Sequence, residues 1–266
     1  MPSPLTTYLR ATRAPRYSLL LALPLLVLYE LLAVLLSHDA LAGVRNGADV
    51  LLKSLFVGFG GRRGLIVFGV LLVGTGAVLV WRDLRRSGWR LRWGYFAGML
   101  AEAVVYALLF GGVVGLLTSL LLHAVLPLAT TALGTTALGT TTLATATAAS
   151  PIARLGLATQ LMISLGAGLY EELLFRVLLV GALARLARGG FGWSAGAAGC
   201  FATLLGALVF SAFHYVGPYG DPLELGSFTF RAIAGVLFSA LYLLRGFGIT
   251  AWTHALYDVF LTVMAA

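Results

Sequence analysis

Apolar positions along this chain gather into long stretches separated by short polar breaks. Each stretch approaches the roughly 20 residues that an α-helix needs to cross the hydrocarbon core of a bilayer. The first predicted span covers residues 17–36 and the second 64–81. The third covers 94–122, and a longer fourth covers 152–186. The fifth covers 195–215, the sixth 228–244, and the seventh runs from 249 to the C-terminus. Residues 37–63 are mixed, and RNGADVLLKSLF within them reads as an amphipathic interfacial helix. Residues 127–151 carry a short ALGTT repeat, Thr-rich and uncharged, which reads as a flexible or partly helical connector without catalytic content. The expected fold class is therefore all-α: a polytopic membrane helix bundle of about seven transmembrane helices, in a range of six to eight. Residues 1–150 are expected to form N-terminal membrane helices with the Thr-rich connector. Residues 151–266 are expected to form the core that carries the chemistry, within one integral membrane domain.

Composition supports the membrane class and excludes an aqueous globule. Of 266 residues, 60% are hydrophobic and only 11% charged, against about 25% charged in soluble domains. Mean hydropathy is +0.96. The single cysteine, Cys200, makes no intrachain disulfide, and its apolar segment predicts packing rather than reactivity. Net charge is +8, from seventeen Arg and one Lys against ten acids. A basic excess in such a chain marks cytoplasmic loops and contact with anionic headgroups. Nothing resembles a nucleic-acid module, so the lipid bilayer is the expected partner and nucleic acid is not. The first apolar run follows Arg10, Arg13 and Arg16 without a clear small-residue cleavage site, and reads as a retained helix rather than a signal peptide.

Arginine placement sets an orientation. The N-terminus, residues 82–92 (five arginines), residues 185–188 and Arg245 fall on one side if the spans alternate from a cytoplasmic N-terminus. The loop at 216–227 holds two acids and no base, and falls on the other side. Arg45, Lys53, Arg62 and Arg63 run against this assignment. The preference for Arg over Lys fits a GC-rich, bacterial genome, hence a bacterial inner membrane.

Ionisable residues inside predicted spans are functional candidates, because their burial has to be compensated. Glu30 and Glu102 stand alone in their helices. Each is expected to be protonated or to pair with a base on another helix, in a structural role. His38 and His123 lie at or near helix ends and read as interfacial. The stretch GLYEELLFRV is different. Glu172 and Arg176 are four apart, share a helix face and can neutralise each other. Glu171 projects about 100° away and has no partner on its own helix at that spacing. A carboxylate in an apolar setting suits proton transfer near neutral pH. The bland reading is a buried salt bridge with a spare acid facing water. Phe210 and His214 share one face of a later helix, where a lone histidine is commonly a hydrogen-bonded core residue. His254 and Asp258 lie one turn apart in the last helix. They suit either local capping or a proton relay. The three patterns fall within 88 residues on late helices, which points to one polar, water-containing site inside the membrane.

Glu-Glu-x-x-x-Arg, Phe-x-x-x-His and His-x-x-x-Asn/Asp, in that order on successive membrane helices, resemble the CPBP family. That family includes the CAAX prenyl proteases and bacteriocin-processing or self-immunity proteins, also called the ABI family. The resemblance covers roughly residues 160–262. It implies an intramembrane endopeptidase that cuts a membrane-associated peptide or protein with glutamate-activated water and no cofactor. By resemblance, Glu171 is the general base and His214 helps hold and polarise the water. His254, with Asp258, stabilises the oxyanion, while Glu172 and Arg176 fix the helix and tune Glu171. Asp258 departs from the prenyl-protease pattern, which has Asn there. An ionised Asp can only accept hydrogen bonds, so it would hold His254 as imidazolium or else stay protonated in its apolar surroundings.

Depth imposes a condition. Glu171 lies 14 residues before Arg185, or about 20 Å of helical rise, and His254 lies nine after Arg245. His214 reaches that level only if GFGWSAGAAG is interfacial and the span starts near Cys200, or if a helix is tilted or broken. Three other classes use similar residues. A zinc peptidase would employ Glu, His, His and Asp, although no His-Glu-x-x-His helix is present. A non-enzymatic scaffold or immunity factor would need the helices alone. A proton-coupled transporter would use acids and histidines as a relay, but matched interrupted helices are lacking.

Overall fold

In hydrocarbon the backbone has no water to bond to, so it must close its hydrogen bonds within helices. A computed structural model describes residues 3–36, 43–133 and 151–265, and among these all regular structure is helical. The helices are α1 (Pro4–Thr12), α2 (Pro15–Leu36), α3 (Gly47–Gly60), α4 (Arg63–Ser87) and α5 (Trp93–Leu133). A 3-10 turn (Pro151–Arg154) leads into α6 (Leu157–Gly166), which passes without a break into a π-helix (Ala167–Val180) and then α7 (Gly181–Phe191). Then come α8 (Ala195–Phe213), α9 (Leu225–Arg245) and α10 (Phe247–Ala265). His38 and most of the Thr-rich connector lie outside the described residues.

Among the described residues, five helices are long and apolar enough to cross a membrane: α2, α4, α5 over Trp93–Ala124, α8 and α9. The protein is a polytopic integral membrane protein. The two other stretches read as spans, 152–186 and 249 to the C-terminus, carry all the candidate site residues except His214, which lies at the end of α8. Their polar groups lower the apolar content and are turned into the protein. By contrast α4 presents Ile66, Val67, Val70, Leu71 and Val73 outward, as a lipid-facing helix does.

Packing centres on α10, which touches α2, α5, α6, the π-helix and α9. Small residues permit close approach of helices where no water is expelled by their association. A methyl group on Gly168 would lie 2.3 Å from the Ala251 carbonyl oxygen and 2.6 Å from the Ala255 Cβ. The π-helix and α10 therefore meet backbone to backbone at that level. On the α2 side, the Trp252 indole donates to the Leu21 carbonyl at 2.7 Å, and the Gly248 amide donates to the Ser18 hydroxyl at 2.8 Å.

The lone intramembrane acids find bases on other helices. Glu102 on α5 takes two hydrogen bonds from Arg245, at 2.8 and 2.9 Å. Glu30 on α2 accepts from Lys53 at 2.9 Å and from the Tyr170 hydroxyl at 2.5 Å. Helix α3 differs from its expected interfacial character. Its buried face holds Asp49 and Lys53 as well as Ala48 and Leu52, and it docks on α4 and the π-helix. Cys200 also departs from expectation: it is exposed rather than packed.

Candidate active site

The π-helix carries Glu171, Glu172 and Arg176, all buried. Its i→i+5 bonding is rare, and where it occurs it is frequently at functional sites. The widened turn still leaves Glu172 and Arg176 side by side, with Oε2 and Nε 3.2 Å apart. The guanidinium is 2% exposed. It lies over the Phe210 ring at 4.3 Å and near the Phe238 ring at 5.4 Å, so two aromatic faces supply the rest of its electrostatic compensation.

His214 caps the C-terminus of α8. Its Nδ1 lies 2.9 Å from the Phe210 carbonyl oxygen. A carbonyl only accepts, so Nδ1 carries the hydrogen, and in the neutral ring Nε2 is left as an acceptor. That Nε2 lies 3.8 Å from Glu171 Oε2. Glu171 Oε2 is buried and has no hydrogen-bond partner among the described residues. Two acceptors thus face each other across a gap longer than a hydrogen bond. A single water donating one hydrogen to each fits the chemistry of that gap.

His254 joins the second half of the site. Its Nδ1 lies 2.7 Å from Glu172 Oε1, and its Nε2 lies 3.5 Å from Asp258 Oδ2. The imidazole is set between two carboxylates, as the sequence-based account of Asp258 requires if the ring is to be cationic. Phe238 stacks on it at 4.4 Å. Phe210 is the common wall, with its ring 4.8 Å from His214, 6.2 Å from His254 and 5.2 Å from Phe175. All six candidates, Glu171, Glu172, Arg176, His214, His254 and Asp258, belong to one connected cluster.

Glu171 and His214 come level while α8 stays one unbroken helix. The helix holding Glu171 continues past Arg185 and Arg188 to Phe191, and α8 starts at Ala195. From 171 to 191 is 20 residues, and from 195 to 214 is 19. The two arms of this antiparallel pair are equal in length, so Glu171 and His214 come level. Gly192 makes the reversal with φ of 67°, a left-handed conformation that suits glycine.

Two further polar residues bear on the site and do not belong to the three motifs. Asn46, before α3, donates from Nδ2 to Glu171 Oε1 at 2.8 Å. Its signal in the sequence is an N-cap asparagine preceding a helix. Arg231 on α9 pairs with Asp221 of the 214–224 loop, and the Asp221 amide donates to the His214 carbonyl at 3.0 Å. Arg231 lies in a predicted span, and its charge there is the signal that could have found it. Among the described residues no three His, Cys, Asp or Glu side chains are grouped to hold a metal ion.

Residues 151–260 match the family model described as Rce1-like, type II CAAX prenyl endopeptidase Rce1-like. That region of the chain is therefore similar to the Rce1-like family. The match takes in the π-helix, α8, α9 and the part of α10 that holds His254 and Asp258, so every one of the six clustered residues lies inside it. Asn46 lies outside it. No curated protein and no solved structure is a significant match to the chain. The Rce1-like match agrees with the CPBP resemblance read from the three motifs.

Proposed function

We propose that the protein is an intramembrane endopeptidase that hydrolyses a peptide bond of a membrane-associated substrate, of CAAX or leader-peptide type, with water activated by Glu171. The observation that carries this reading is the pair of facing acceptors, Glu171 Oε2 and His214 Nε2, 3.8 Å apart. Water held between them donates both hydrogens inward and turns a lone pair toward the substrate. Its oxygen bonds to the carbonyl carbon while one proton passes to Glu171. That proton then goes to the departing amine as the carbon–nitrogen bond breaks. His254, held by Glu172 and flanked by Asp258, presents Nε2 to the oxyanion that forms on the carbonyl oxygen. Arg176 holds Glu172 in place through their 3.2 Å contact, and Phe210 excludes bulk water. No cofactor takes part.

The lipid bilayer supplies the substrate laterally, and no nucleic acid is involved. The membrane is a bacterial inner membrane and the N-terminus is cytoplasmic. Arginine distribution supports that orientation. Arg45 and Lys53, which count against it as loop charges, are taken up in buried pairs with Asp49 and Glu30, and Arg62 and Arg63 remain as exceptions. The test is N-terminal mapping of membrane proteins in cells carrying wild type or Glu171→Gln. Processing should fall about 100- to 10,000-fold in the variant at unchanged protein abundance. Equal processing by both would refute the role of Glu171.

A further inference from the structure

We propose that Asn46 is a positioning residue for Glu171, so that the catalytic unit extends beyond the Rce1-like region into the N-terminal helices. This rests on the peptidase reading above. Asn46 caps α3: its Oδ1 accepts from the Ala48 amide at 2.9 Å. That bond fixes the sense of the side-chain amide, so the NH2 group faces the carboxylate and donates to Glu171 Oε1 at 2.8 Å. One Glu171 oxygen is thereby occupied, and the other, Oε2, is the one turned to His214. Without the donor the carboxylate can rotate, and neither oxygen is reserved for the water.

Asn46 is itself held on several sides. Its backbone amide donates to the Tyr29 hydroxyl at 3.3 Å, and that hydroxyl donates to Asp49 at 2.7 Å. Asp49 is locked by Arg45 at 2.8 Å and Lys53 at 2.7 Å. Lys53 and Tyr170 both bond Glu30, and Tyr170 precedes Glu171 in the chain. The last residue of α6 closes the other side, since a methyl group on Gly166 would lie 2.7 Å from the Asn46 Cβ. Two bases pair with two acids in this part-buried group, so its charges balance beside Glu171. A donor held so firmly can fix a carboxylate, whereas a mobile one could not.

The cap and the donation can be separated. Ser is as good an N-cap as Asn but is too short to reach Glu171, so Asn46→Ser keeps α3 and removes the donor. Asn46→Asp also keeps the cap and puts a carboxylate where the donor was. With a quenched farnesylated CAAX peptide as probe and the full chain in nanodiscs, both variants should stay folded at the assay temperature, with a small fall in Tm for Asn46→Ser and a larger one for Asn46→Asp, which buries a second carboxylate beside Glu171. Both should lose about 10- to 100-fold in kcat, with KM within about twofold and Asn46→Asp the weaker enzyme. Unchanged kcat in Asn46→Ser, or a loss of kcat no larger than the unfolded fraction at the assay temperature accounts for, would overturn the proposal.

A second measurement needs no substrate. Asn46 is the sole asparagine of the chain, so selective 15N labelling gives one side-chain NH2 pair. One of its protons should sit downfield in wild type and return upfield in Glu171→Gln, with Glu172→Gln having little effect. A pair that resembles free asparagine and ignores Glu171→Gln would overturn the contact itself. A wild-type protein that shows the contact but leaves the peptide uncut would instead refute the peptidase reading for that substrate class and reduce Asn46 to a structural role.

Discussion

Gly168 offers the sharpest test of how the site is assembled. Replacing it with Ala places a Cβ 2.3 Å from the Ala251 carbonyl oxygen and 2.6 Å from both the Ala255 Cβ and its amide nitrogen. Non-bonded carbons sit about 3.5–4.0 Å apart, so the π-helix and α10 have to separate by about 1 Å. The obstacle is backbone, which no rotamer change can clear. One turn further along the same two helices, Glu172 and His254 meet at 2.7 Å. Adding about 1 Å there takes the pair past the usual limit of about 3.2 Å for a hydrogen bond. Overpacking costs about 1–3 kcal/mol, and losing a charged hydrogen bond costs about 1.5–3 kcal/mol. Together these give about 2.5–6 kcal/mol, and a 1 Å displacement in a site costs about 100-fold in rate. The assay is thermal unfolding in nanodiscs alongside cleavage of the farnesylated peptide. The control is Gly69→Ala on α4, whose added methyl meets no described atom within 4 Å. If Gly168→Ala matched the control in Tm and rate, the backbone-to-backbone contact of the π-helix and α10 would not exist as described.

Three further outcomes are expected. Phe210→Ala should cost about 3–5 kcal/mol by leaving a cavity and should abolish cleavage, because His214, His254 and Arg176 all rest on that ring; a Tm within a degree of wild type would contradict it. Arg245→Met should destabilise by about 3–5 kcal/mol by stranding the Glu102 carboxylate. Adding Glu102→Leu should recover much of this in a double-mutant cycle, and strict additivity would mean the pair is not coupled. Chelator treatment of purified protein should leave peptide cleavage unchanged, whereas loss restored by zinc would point to the metallopeptidase reading.

Much of the protein was legible in its sequence because hydrocarbon admits so few solutions. A backbone that must satisfy itself leaves little choice but helices, and the apolar stretches marked where they run, to within a few residues for α2, α8 and α9. The three motifs were legible for a related reason. Charge inside a span is costly, so Glu171, Glu172, Arg176, His214, His254 and Asp258 stood out against an apolar background. For Glu30 and Glu102 protonation or a base on another helix was expected; the structure shows the second, with partners that the sequence did not name. Neither the π-helical winding nor the end of α7 at Phe191 follows from apolar periodicity. The equal depth of Glu171 and His214 was therefore an open condition.

Asn46 marks the boundary most clearly. It lies 125 residues from Glu171 in the chain, in a stretch read as a surface helix, and its own neighbours give no sign of a membrane-buried carboxylate. Local sequence determines which segments enter the bilayer and which charges need compensation, since both depend on the cost of taking a group out of water. Which group supplies that compensation depends on where helices from distant parts of the chain touch. Here the contact surfaces decide it: Gly168 against Ala251 and Ala255, and Gly166 against Asn46. Only the packed bundle could reveal that one oxygen of Glu171 is held and the other faces His214.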